Sequence, residues 1–422
     1  MNRTARILGK FSIGMGDRFA HQAKAQLQAC VLAADAGIEV VPVWNKSNRE
    51  HVIIGSQPAE TRKSADEAVR ELKWTKSYFC DADHINLETV GGFLAACDFY
   101  TIDVADFIGK KSEEGEIDAF VQRHKRLVGN ISLPGVNETF EITELLLRQV
   151  AEKFLAAVQQ AGLVYRKIES AKGPGNFISE ISMDETDSSQ SPVELLLILA
   201  AIKDENIPVQ TIAPKFSGQF HKGVDYIGDA AVFKRELDLD FAAIAFAIDQ
   251  FGLPSNLKLS VHSGSDKFSI YPMIHTAMQK FDSGIHLKTA GTTWLEELIG
   301  LAESGGQGLD LAKEIYSSAW SLRAKLCLPY ATVIDIDESK LPKPSTVAGW
   351  SSEQFASALR HDEDSASYDV NLRQLLHVGF KVAADLKAQY IDLIKQNEPV
   401  ISRNVTSNLY DRHIVPVFIG EK

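Results

Sequence analysis

Apolar, strand-forming stretches recur along this chain, and several end abruptly in residues that carry chemistry. Ser77-Tyr78-Phe79-Cys80 runs into Asp81-Ala82-Asp83-His84. Ser182-Met183 runs into Asp184-Glu185, and Val261 runs into His262-Ser263-Gly264-Ser265-Asp266-Lys267. His286-Leu287-Lys288 leads into Thr289-Ala290-Gly291. Aromatic and β-branched residues favour strands, whereas carboxylates and imidazoles bind divalent metals and move protons. Functional groups placed repeatedly at strand ends restrict the chain to folds whose sites are built from strand C-termini, above all the α/β barrel.

The alternation supports that restriction. Strands are expected at Phe11–Met15, Val40–Trp44, Ser77–Asp83, Phe99–Val104, Phe177–Glu185, Val209–Phe216, Leu257–Gly264 and Gly284–Gly291. Most are short apolar runs, as parallel strands covered on both faces should be. Helical patterns follow them at Arg18–Ala34, Ser64–Leu72, Leu87–Ala96, Ile142–Ala161, Pro192–Ile202, Phe241–Phe251, Ile270–Phe281 and Thr293–Ala302. Eight strand–helix units match a (β/α)8 TIM-type barrel, with an open doubly wound sheet as the alternative.

The fourth connection, Asp106 to Phe140, is long and charged, and is expected to hold an extra helix and a lid-like loop. After Gly305 the pattern changes to helices at Leu309–Leu328 and Val370–Gln396, around a Pro-rich stretch at Leu341-Pro342-Lys343-Pro344. The expected division is a barrel catalytic domain over 1–304 and a mainly helical C-terminal extension over 305–422, packed on the barrel.

A formal charge of -12 argues against a nucleic-acid partner, because phosphate binding needs a basic face. No apolar run reaches membrane-spanning length, and Met1-Asn2-Arg3-Thr4-Ala5-Arg6 precedes no signal-type apolar core. The four cysteines have neither metal nor disulfide spacing and read as reduced thiols of a cytoplasmic protein. Nothing in the sequence fixes whether the chain forms a homo-oligomer.

Each strand ending has a functional and a plain reading. Adjacent strand residues point to opposite sides, so Asp83 and His84 serve one site only where the backbone turns; otherwise Asp83 caps the next helix. Asp184-Glu185-Thr186-Asp187 holds an acid/base for a barrel mouth, or caps the helix signalled by Ser191-Pro192. The loop Gln219-Phe220-His221-Lys222-Gly223-Val224-Asp225-Tyr226, with Lys215 before it, supplies a metal ligand or substrate anchor, or is a solvated polar loop. His262 precedes small residues that let backbone approach a ligand, and Asp266-Lys267 adds charge. His286 and Lys288 lead into a threonine-rich turn suited to a carboxylate or phosphate, or to capping alone. Gly14-Met15-Gly16-Asp17-Arg18 is no dinucleotide fingerprint; its content is Arg18, a fork-shaped partner for a carboxylate or for a nearby acid.

Taken in order, Gly14-Met15-Gly16-Asp17-Arg18, Asp81-Ala82-Asp83-His84, Tyr100-Thr101-Ile102-Asp103, Asp184-Glu185-Thr186, Lys222-Gly223-Val224-Asp225-Tyr226 and His262-Ser263-Gly264-Ser265-Asp266-Lys267-Phe268 resemble the tagaturonate/fructuronate epimerase family of bacterial hexuronate catabolism. The resemblance spans most of the expected barrel. It implies a metal-dependent sugar-acid epimerase with an acid/base pair at Asp83 and Glu185. It also implies metal ligation by His84, His262 and a residue of the Gln219–His221 loop, of which His221 is favoured because imidazole is the commoner ligand. Substrate contacts are then expected from Arg18, Lys215, Gln219, Asp266, Lys267, His286 and Lys288. The metal is zinc, manganese, nickel or iron, since nitrogen and oxygen ligands suit them all.

Tagaturonate and fructuronate differ at a hydroxyl-bearing carbon two bonds from the ketone, which simple enolisation cannot invert. Retro-aldol cleavage, rotation and re-addition can, and metal-assisted proton abstraction is a second route. The rival readings are a metal-dependent aldolase or isomerase acting on another sugar, and a non-catalytic carbohydrate-binding barrel.

Overall fold

A computed structural model of the chain describes residues 5–186, 188–289 and 291–420. Asp187 of the acidic group and Ala290 of the last strand-end motif lie outside the described residues. In chain order the strands are β1 (Phe11–Gly16), β2 (Val40–Ser47), β3 (Phe79–Ile85), β4 (Phe99–Asp103), β5 (Gly129–Ser132), β6 (Thr139–Ile142), β7 (Ile178–Ser182), β8 (Thr211–Ala213), β9 (Lys258–His262) and β10 (Ile285–Thr289). All but β5 and β6 close a parallel barrel, in which β1 pairs with β2 on one side and β10 on the other. The expected (β/α)8 architecture with a helical C-terminal extension is therefore the one observed.

The two faces of the strands do different work. Val40, Trp44, Cys80, Tyr100 and Ile181 point outward into the large core beneath the helices. One position along, Leu8, Val41, Val43, Phe79, Phe99 and Ile178 form a separate small apolar plug. Continuing along those same inward positions by steps of two, side chains change from Phe79, Phe99 and Ile178 to Asp81, Thr101 and Glu180. The barrel interior thus has an apolar plug at its base, with Lys258 Nζ buried on the Leu8 and Gly9 carbonyls, and is charged beneath its mouth.

Local signals start the helices. Ser47 and Glu50 form a capping box, as do Ser191 and Glu194 ahead of helix Pro192–Asp204, and Asp229 caps helix Ala230–Phe251. The helix expected over Leu87–Ala96 is replaced by a single tight turn at Val90–Gly92. Asn86 Oδ1 accepts from the Glu88 and Thr89 amides, and Gly91-Gly92 weakens any helix that would follow.

The long fourth connection does hold an extra helix, Glu114–His124, followed by the β5–β6 hairpin. It is not a lid. His124 bonds Asp204 at 2.8 Å and Arg126 reaches the Gln250 carbonyl, both at the C-terminal ends of outer helices and so at the barrel end away from the mouth. Among the described residues none of 106–140 lines the mouth.

The extension begins with helix Gly306–Cys327 and breaks the expected Val370–Gln396 helix into Val370–Val378, Phe380–Leu386 and Ala388–Gln396. The breaks fall at Gly379 and at Lys387, whose φ of 48° is left-handed. A later helix, Glu398–Leu409, lies across the first and last helices of the barrel. Thr406 Oγ1 donates to the Ala25 carbonyl at 2.8 Å and Asn404 to Glu303 at 2.8 Å. No helix among the described residues is long and apolar enough to cross a membrane.

Candidate active site

The C-terminal mouth of the barrel opens into a cavity of about 510 Å³, walled by strand ends and roofed by Pro329, Tyr330, Thr332 and Val333 of the extension. On β3 the pairing register with β4 shifts between Ala82 and Ile85, and His84 adopts a left-handed φ of 50°. Such a conformation is costly for a residue with a Cβ and persists where surrounding structure enforces it. The bulge cancels the strand alternation, so Asp83 and His84 both face the cavity.

His84, Asp184 and His262 converge there. Their candidate ligand atoms all lie within 4.8 Å of one another. His84 Nδ1 is held by Asp83 Oδ1 at 2.8 Å, which turns Nε2 toward Asp184 Oδ1 at 3.2 Å. His262 Nε2 is held by Glu180 Oε1 at 2.8 Å, leaving Nδ1 at 3.0 Å from Asp184 Oδ2 without an aligned hydrogen bond. Each imidazole is therefore oriented by a carboxylate on its far nitrogen, the arrangement that fixes metal-ligating histidines. A second trio, Asp225, His361 and Glu363, has similar spacing, but Asp225 is occupied by the Ser269 amide and hydroxyl.

Beneath this trio Lys288 is buried and contacts three acids. Its Nζ lies 2.8 Å from Asp81, 2.6 Å from Asp83 and 3.5 Å from Glu180, and donates to Thr101 Oγ1 at 2.6 Å. Gly14 makes room for it, since a Cβ there would stand 2.9 Å from Lys288 Cγ. Burial alone would lower the Lys288 pKa, but Asp81, Asp83 and Glu180 raise it well above the usual lysine value. Burial would raise Asp83, yet Lys288 and His84 hold it well below the carboxylate range. Burial pushes Asp81 up to about 6 in spite of Lys288. Burial would lower both mouth histidines, but Asp83 and Asp184 raise His84 well above the ordinary imidazole value. Asp184, outweighing Lys288, takes His262 to about 9. Both shifts favour the imidazolium form when no metal is bound.

The structure brings Asp83, His84, His262 and Lys288 together and sets Glu185, Arg18 and Lys215 around the same cavity. Arg18 is nearly buried there, paired with Glu50 and stacked 4.0 Å over the Phe380 ring. The other sequence-based candidates lie apart from the mouth. Gln219 is exposed and bridges Ile227. His221 is buried outside the trio, and burial lowers its pKa. Lys267 is fully buried and donates to the carbonyls of His221 at 3.0 Å and Val224 at 2.7 Å. Asp266 is taken by Arg373 at 2.7 Å, His361 at 3.2 Å and Thr292 at 2.9 Å. His286 lies inside the barrel against Ser12 Oγ at 2.9 Å, and burial lowers its pKa to about 3.

Sequence reasoning passed over Asp81, Thr101 and Glu180, and placed Asp184 in a motif without choosing it as a ligand. The available signal was the step of two that links Asp81 to Asp83, Glu180 to Ser182 and His286 to Lys288 along single strand faces.

Residues 3–414 match the tagaturonate epimerase (UxaE) family. The tagaturonate/fructuronate epimerase of Thermotoga maritima is 27% identical over 421 residues, covering 96% of this chain and 80% of that protein. The glycerol-complexed crystal structure of the fructuronate-tagaturonate epimerase UxaE from Cohnella laeviribosi superposes with a TM-score of 0.80 at 23% identity, covering 98% of this chain and 82% of that one. Its native crystal structure gives 0.79 at the same identity and coverage. At that identity the structural likeness establishes a shared fold.

Proposed function

Because the chain belongs to the tagaturonate epimerase family, an isomerase family, we propose that it interconverts tagaturonate and fructuronate around His84, Asp184 and His262. The observation that carries this reading is the oriented trio itself, two carboxylate-held imidazoles and one carboxylate aimed at a common point. The donor set suits a divalent ion. Among the described residues His262 Nδ1 has no aligned partner, and the two acids that raise the histidines' pKa would equally favour a cation in place of the imidazole protons. Such an ion, bound by His84, Asp184 and His262, would supply Lewis-acid stabilisation of negative charge on the substrate's ketone oxygen.

The protein's own groups do the rest in this reading. Lys288 keeps Asp83 ionised, so Asp83 begins the cycle as a proton acceptor for the substrate hydroxyl. Glu185, which also lines the cavity, serves the returning proton after the aldehyde fragment has rotated. The roof of extension residues limits escape of a cleaved fragment. The extension, residues 305–422, is thereby part of the working enzyme, although we assign the chemistry to 1–304. The four cysteines are unpaired thiols, in keeping with the cytoplasm, where we place the reaction.

The test is incubation of metal-loaded protein with tagaturonate, reading products by NMR. Fructuronate should accumulate to equilibrium. Unchanged tagaturonate, or cleavage without re-addition, would overturn the epimerase reading.

A further inference from the structure

A sugar acid brings a carboxylate, and the mouth contains cations that no protein acid satisfies. Arg18 is paired with Glu50, and Lys288 with Asp81, Asp83 and Glu180. Arg49, Lys215 and Lys222 also line the cavity, and none has a carboxylate oxygen within 4.0 Å among the described residues. The turn that carries Lys222 is held from several sides. Its amide donates to the Val333 carbonyl at 2.8 Å. The flanking His221 and Val224 carbonyls accept from Lys267 Nζ. The Gly223 amide donates to Ser265 Oγ at 2.9 Å, and its carbonyl accepts from Arg373 Nε. Gly223 itself has a left-handed φ of 81° and backs onto His377, so the turn is built for glycine.

The clamp has a cost that structure alone does not repay. Lys267 is fully buried with no carboxylate oxygen within 4.0 Å among the described residues, its Nζ spent on the His221, Val224 and Asp266 carbonyls and on Ser265 Oγ. Burying such a group is expensive, and it is retained where it fixes something that matters. What it fixes is Lys222, a half-buried lysine whose Nζ reaches the loop just past β9. A Cβ on Gly264, two residues past His262, would lie 3.6 Å from Lys222 Nζ.

We propose that Lys222 binds the carboxylate of the sugar-acid substrate and sets the preference for acid over neutral sugar. This deepens the epimerase reading and rests on it. The roles of Asp266, Lys267 and Arg373 are then to position Lys222 rather than to touch substrate. Arg49, on helix Asn48–Ile54 and 5.3 Å from the Tyr330 ring, adds positive potential to the same cavity.

The experiment is calorimetric binding of tagaturonate and of tagatose, its neutral counterpart, to metal-loaded wild type, Lys222→Met and Lys222→Arg, with turnover measured in parallel. Losing one charge-assisted contact should weaken tagaturonate binding by about tenfold or more in Lys222→Met, with tagatose changed by less than about twofold. Lys222→Arg, which keeps the charge, should recover most of the loss. Equal weakening of both ligands, or none, overturns the assignment. Wild type that binds tagaturonate with this Lys222 dependence but forms no fructuronate would defeat the epimerase reading and leave the anchor standing. Wild type that binds neither ligand overturns both.

Discussion

Asp184 Oδ2 lies 3.0 Å from His262 Nδ1 yet off the line along which that nitrogen would donate. Two groups of opposite charge this close normally align. Here Glu180 fixes the far side of the His262 ring, and Ser182 Oγ and His84 hold the other oxygen of Asp184. Both partners are locked by other neighbours into facing a shared point instead of each other. That is the behaviour of ligands arranged for a third party.

The first prediction concerns that third party. Chelator-treated protein should take up one divalent ion per chain, measured by elemental analysis after dialysis. His84→Ala, Asp184→Ala and His262→Ala should each lower metal affinity by about 10-fold or more. Full retention in any two of these variants would remove the trio as the site.

Asp83→Asn and Glu185→Gln should each lower turnover by about 10²-fold or more while metal content stays at the wild-type level. The split matters for Asp83, which also steadies His84. Loss of metal together with activity would recast it as a positioning residue only.

Much of this was legible in the chain before any coordinates. The eight barrel strands announced themselves as apolar runs, and Asp83, His84 and His262 as their polar endings. Tertiary distance was not legible. Within the Gln219–His221 loop ligand chemistry favours His221, but the three groups whose ligand atoms come within 4.8 Å of one another are His84, Asp184 and His262, and His221 is buried outside that trio. Asp266 and Lys267 follow His262 in the same motif, yet Asp266 serves Arg373 and Lys267 the 221–224 turn, residues 107 positions away or on another loop. The expected helix over Leu87–Ala96 failed for a local reason, the Asn86 side chain and two glycines, which composition does not reveal as decisive.

Lys288 balances three buried acids, so its removal should cost far more than a surface substitution. Lys288→Met should destabilise the protein by about 3–5 kcal/mol, read from the urea midpoint. Adding Asp81→Asn to that variant should restore part of the loss, because the acid that Lys288 alone balances is then gone. A single variant within about 0.5 kcal/mol of wild type contradicts the buried network.

The histidines set a pH dependence with a definite sign. His262 rises from an ordinary 6.5 to about 9 in the folded, metal-free protein. Its contribution to stability is fully present below 6.5 and is lost as pH climbs through about 9. Chelated wild type should therefore lose melting temperature across that window more steeply than chelated His262→Gln. Metal affinity should climb over the same range, since the ion displaces the imidazole protons. Parallel melting profiles for the two chelated proteins would rule out the elevated His262 value.

Helix Glu398–Leu409 touches both Ala25, in the barrel's first helix, and Glu303, at the end of its last. Those two helices flank the β1–β10 pair, where the sheet joins beginning to end. The tail of the polypeptide thus works as a clasp over the seam of a hoop, while another part of the same extension supplies the ceiling of the reaction chamber. Removing helix Glu398–Leu409 would loosen the hoop even with the ceiling residues 329–333 still in the chain, so an engineer seeking a minimal catalyst cannot discard that helix as mere decoration.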